Sequence, residues 1–64
     1  MKTVQTNRED LYINDYVVYK NEIFDVIEIE YNFNRNQFIV TARNIETNKI
    51  VGFTSTTFRV LVKS

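Results

Sequence analysis

Residues 15–31, DYVVYKNEIFDVIEIEY, decide the fold, because two apolar runs are separated there only by Lys20, Asn21 and Glu22. Tyr16, Val17, Val18 and Tyr19 on one side, and Ile23, Phe24, Val26, Ile27, Ile29 and Tyr31 on the other, are β-branched, aromatic or both. Such residues suit a pleated, half-buried surface. The pattern predicts a β-hairpin with one strand over 16–20 and a longer one over 23–31. Charges in the longer strand fall at Asp25, Glu28 and Glu30, so alternation breaks near Val26 and Ile27. A break of that kind marks a bulge or a change of face.

Downstream, Asn32, Phe33, Asn34, Arg35, Asn36 and Gln37 interrupt the apolar pattern with residues that favour turns and tolerate left-handed backbone, which predicts a longer hairpin loop. QFIVTARNI, residues 37–45, returns to strand with Phe38, Val40 and Ala42 on one face. Glu46, Thr47, Asn48 and Lys49 predict a tight turn. Residues 50–54 form a fourth strand holding the only glycine, Gly52, a sign of close backbone approach or a sharp bend. Ser55, Thr56 and Thr57 predict a short 3₁₀ turn into a last strand over 58–63. Upstream, residues 1–10 carry only an isolated Val4 in polar surroundings and are expected to be a flexible tail. Leu11, Tyr12 and Ile13 form an apolar patch, either a first short strand or a plug. Residues 11–64 are then a single small β-barrel domain. Its expected core is Val17, Tyr19, Phe24, Val26, Phe38, Val40, Phe53, Phe58 and Val60.

A chain of 64 residues buries only about 60% of its unfolded surface, so stability is marginal. Lacking Cys and His, it has no disulfide, no thiolate metal site and no imidazole ligand; no metal and no cofactor are expected. Four Tyr and five Phe must supply much of the buried area. The absence of Cys fits a reducing compartment. MKTVQTNRED has no apolar h-region, and no run approaches the roughly 18 apolar residues of a membrane span, so a cytoplasmic protein with no membrane association is expected. Net charge is zero, but its distribution is uneven: seven of the eight acidic residues lie between Glu9 and Glu30, and five of the eight basic ones follow Tyr31. Either cross-strand pairs neutralise each other, or the molecule has an acidic and a basic face.

Asn14, Asp15, Tyr16, Val17, Val18 and Tyr19 resemble the G-D-x-V-x-Y opening of the SH3-like small barrels of the Tudor and KOW type, with Asn in place of Gly. FDVIEI at 24–29, IETNKIV at 45–51 and STTFRVL at 55–61 are similar to the same family's later strands and closing turn. The resemblance implies an all-β, five-stranded SH3-like barrel with a short 3₁₀ turn before the last strand.

The residue inventory argues against an enzyme: without His, Cys or a Gly-rich phosphate loop, the commonest bases, nucleophiles and nucleotide cradles are missing. Asp25, Glu28 and Glu30 read as solvating an exposed surface, and Ser55, Thr56 and Thr57 as turn hydroxyls. Binding is the expected role, and a protein is the expected partner. Tyr12, Tyr16, Tyr31 and Phe33 offer stacking faces, and Arg35 adds a donor fork for carboxylate or phosphate. Phe33, alone among Asn residues, is either an exposed contact or a plug over the barrel mouth. An open strand edge would accept a partner strand, a second copy included. These features describe a non-catalytic adaptor or inhibitor, a compact product of the kind phages and mobile elements encode. The alternative is a nucleic-acid-binding domain using Arg35, Arg43, Lys49, Arg59 and Lys63 with ring stacking.

Overall fold

The hairpin read from residues 15–31 closes on two residues, Lys20 (φ 49°) and Asn21 (φ 64°), flanked by the cross-strand pair Tyr19 and Glu22. Positive φ at both central positions is the type I′ geometry, whose twist matches that of the flanking strands. The computed structural model describes residues 2–62. Its strands are β1 (Thr3–Asn7), β2 (Tyr16–Tyr19), β3 (Glu22–Asn32), β4 (Gln37–Asn44), β5 (Ile50–Phe53) and β6 (Thr57–Leu61), with a single 3₁₀ turn at Arg8–Asp10. All neighbours are antiparallel, in the order β1-β6-β2-β3-β4-β5. β1 and β5 are the two ends of this sheet, and no pairing joins them, so the sheet is not closed into a barrel.

Two expectations fail on the N-terminal segment. Residues 3–7 are not a flexible tail but a sixth strand, in register with β6 from Thr3 opposite Leu61 to Asn7 opposite Thr57. Backbone pairing along an open edge needs no apolar sequence, and TVQTN supplies Thr and Val for the pleat. The 3₁₀ turn also lies here and not at Ser55–Thr57, where the chain passes through a bend into β6. The Arg8 N–H donates to Thr56 O at 2.9 Å, which ties the two connections together.

The break in alternation is a bulge: Val26 faces Ala42 and Glu28 faces Thr41, leaving Ile27 without a partner across β3–β4. The extra residue keeps Phe24 and Val26 on the core face before it, and Ile29 and Tyr31 on that face after it. Asp25, Glu28 and Glu30 consequently fall on the outer face. Leu11, Val17, Phe24, Val26, Val40, Ala42, Phe58 and Val60 are buried, with Ile29, Phe38, Val51 and Phe53 packed against them. Tyr19, expected inside, is half exposed, and its ring meets Phe53 edge-on at 5.3 Å. Leu11 is the plug, entering the core directly after the 3₁₀ turn. Phe53 also meets Phe24 at 5.3 Å and Phe58 at 6.0 Å, so the edge strand β5 curls back toward β6 without hydrogen-bonding to it.

Gly52 does not mark a close approach. A Cβ there would meet Ile39 Cγ2 at 3.6 Å, an ordinary contact, and the residue is exposed. The sheet order also disposes of separate acidic and basic faces. The acidic strand β3 lies between basic residues of β6 and β4, and Asp25 Oδ2 faces Arg43 Nη2 at 3.7 Å across the β3–β4 ladder. Among the described residues no helix is long and apolar enough to cross a membrane.

Candidate functional site

β2 pairs with the first residues of β3, Glu22 to Asp25, and β5 pairs with the last of β4, Val40 to Arg43. Beyond those limits, residues 30–32 and 37–39 pair only with each other. They form a two-stranded arm that extends past the core and ends in the turn 33–36. An isolated hairpin is marginal in water, so such an arm needs side-chain support.

Aromatic rings supply it. Tyr31 and Phe38 are cross-strand partners on the core-side face, with ring centroids 6.1 Å apart. Phe33 lies against Tyr31 at 4.8 Å with planes at 78°, an edge-to-face contact. Arg8, reaching over from the 3₁₀ turn, sets its guanidinium 4.9 Å from the centre of the Phe38 ring. Arg8 Nε is buried with no hydrogen-bond partner, and the Glu9 carboxylate stands 3.6 Å from it. The turn holds its own shape. The Tyr31 hydroxyl donates to Asn36 Oδ1, the Arg35 N–H donates to Asn32 Oδ1 at 3.3 Å, and Asn36 takes the left-handed backbone (φ 49°) that Asn tolerates.

Phe33 is 86% exposed although one edge touches Tyr31, so it is not a plug over a barrel mouth. The Arg35 guanidinium has no carboxylate partner among the described residues. Of the five binding residues picked from sequence, the fold brings together Tyr31, Phe33 and Arg35. Tyr12 and Tyr16 belong elsewhere. Tyr12 is 74% exposed in the turn before β2, where its N–H donates to Asp15 Oδ2 at 2.9 Å. Tyr16 lies opposite Asp25, on the reverse face from its neighbour Val17. Among the described residues, neither ring stacks on Tyr31, Phe33 or Phe38. Phe38 and Arg8 complete the cluster, and sequence reading missed both. Phe38 read as core because it alternates with Val40, and Arg8 read as part of a tail.

The basic set is dispersed. Arg43 is engaged by Asp25, Arg59 lies opposite Gln5 and Val18 on the far side of β2, and Arg35 stands at the end of the arm. Lys49 sits in the β4–β5 connection, and Lys63 falls outside the described residues. No group of three or more His, Cys, Asp or Glu among the described residues is placed to hold a metal ion. No protein-family model matches this chain, and no curated protein matches it.

Proposed function

We propose that this chain is a non-catalytic binding module on an SH3-like frame, and that it grips a protein partner with the tip of the β3–β4 arm. The observation that carries this reading is Phe33: a large ring held 86% exposed, braced edge-on by Tyr31, beside an unpaired guanidinium at Arg35. Exposing a phenyl ring forgoes about 1.5–3 kcal/mol of burial, and a contact surface recovers it. The edge-to-face contact with Tyr31 braces one side of the ring, which lowers the side-chain freedom lost on association. Aromatic and Arg residues are also the types that dominate interface energetics. The SH3-like frame is supported by the sequential β2-β3-β4-β5 meander, by β6 returning beside β2, and by the Phe53–Phe58 contact that draws the open side together.

The test is the double variant F33A/R35A. Thermal stability should stay within about 1 kcal/mol of the parent, as surface changes usually do. A photo-crosslinker at position 33 in a host lysate should trap a protein whose capture the parent competes away and the double variant competes at least about tenfold less well. Nuclease treatment should leave the capture intact, and rising salt should weaken it only modestly. A steep, nuclease-sensitive loss would mean phosphate contacts and a nucleic-acid partner.

A further inference from the structure

At the other end of β3, the β2–β3 turn and the β4–β5 connection stand side by side over a cleft of about 410 Å³. Phe24, Val51 and Tyr19 give its lining an apolar part, and Lys20, Lys49 and Glu22 a charged one. We propose that this cleft is a second binding site, for a small ligand that carries an anionic group, phosphoryl or carboxyl, on an apolar body.

Three observations carry it. The volume is within the range of small-molecule sites, and an apolar floor with a few convergent polar groups is their usual make-up. The charges are uneven. Neither Lys20 nor Lys49 has a carboxylate partner among the described residues, whereas Glu22, the carboxylate in the lining, is occupied by the Asn44 side-chain amide, which donates to its Oε2. Two ammonium groups against one carboxylate leave the lining with a net positive charge, which favours an anion.

The third observation is Lys20 itself. It occupies the first central position of the type I′ turn at φ 49°, where Asn or Gly is the unstrained choice and a residue with a long side chain costs roughly 1 kcal/mol. In a domain this small that cost is a sizeable share of stability. Its ammonium lies 5.4 Å from the centre of the Tyr19 ring, and both residues line the cleft. Strain kept at such a position is a mark of function.

Titration of the full chain, followed by amide chemical shifts, uses four probes of one size: phenyl phosphate, benzoate, benzamide and benzylamine. Saturable shifts at Lys20, Asn21, Thr47 and Val51 are expected with phenyl phosphate, benzoate or both, which separates the two kinds of anion. Benzamide and benzylamine should bind at least about tenfold more weakly. K20Q/K49Q should lose about tenfold or more in affinity for the anion. K20N relaxes the turn, so it should melt higher than the parent and still lose affinity, a combination that a purely structural lysine would not give. F33A/R35A should bind the probes as the parent does, so this result stands or falls apart from the arm. Failure of both anions to saturate, equal binding of benzamide, or undiminished binding by K20Q/K49Q would overturn the site.

Discussion

Asn44 is the one buried polar side chain among the described residues, and each of its groups is used. Its Oδ1 accepts the N–H groups of Glu46 at 2.8 Å and Thr47 at 3.1 Å, its Nδ2 donates to Glu22, and its backbone N–H donates to Lys49 O at 2.8 Å. One side chain thus shapes the β4–β5 turn and ties it to β3. Replacing it by Ala strands two turn N–H groups and should cost about 1–3 kcal/mol in urea unfolding. If N44A unfolds at the parent's urea midpoint, water serves those donors equally well. Nothing in the string RNIETN separates Asn44 from the other turn-forming Asn residues, since its role depends on a Glu 22 positions away. Asn14 is more legible. Its φ of 77° lies in the left-handed region that favours Gly, and its N–H donates to Val26 O at 2.8 Å beside the bulge. Asn is the side chain that most readily stands in for Gly in this region.

At the scale of elements, the strands from β2 onward are where their apolar patterns put them, and the bulge at Ile27 follows from the lapse in alternation. β1 was illegible because an edge strand is specified by what it lies beside. Val4 faces Val60 yet is half exposed, so its burial contributes little and its pairing much. Removing residues 1–10 would uncover the edge of β6 and withdraw Arg8 from Phe38. The truncated chain should therefore unfold at lower urea than the parent and be more prone to associate through the exposed edge. A truncation that keeps the parent's midpoint would show that β1 adds no net stability. Tyr31, Phe33 and Arg35 could be picked out as a site from their setting in a polar loop, but the arm that carries them could not. It exists because β2 and β5 stop short of the far ends of β3 and β4.

For the whole molecule, stability rests on a small core with few large members. Val17, Val26 and Val40 are its largest fully enclosed side chains, and the rings of Phe24, Phe53 and Phe58 close around them while remaining nearer the surface. Val40→Ala should cost roughly 2 kcal/mol, since the β-sheet around it leaves little room to collapse into the space. Tyr12→Ala, at a surface ring of nearly three times the size, should stay within about 0.5 kcal/mol. Comparable losses for the two would mean that the enclosed valines are not the centre of the fold. The SH3-like resemblance implied a closed, five-stranded barrel, whereas the sheet has six strands and stays open between β1 and β5. Closure depends on hydrogen bonds between distant edges, and an apolar pattern encodes only faces.

The base of the arm, two residues past the bulge at Ile27, also divides the molecule in time. On the core side, Phe24, Ala42 and Arg43 are flanked by β2 or β5 and the Val26 N–H donates to Asp15 O at 2.9 Å, so these amides open only when most of the sheet does. On the arm side, Tyr31 and Phe38 can part without disturbing Val26 or Val40, so their amides are released by a far cheaper excursion. Native-state hydrogen exchange should therefore step just past the bulge: protection near the global unfolding free energy through Ile29, whose partner Val40 is enclosed and paired with β5, and much lower protection from Glu30 to Asn32. Occupying the tip of the arm should slow exchange on that side alone, which makes the step a direct reporter of where a partner sits.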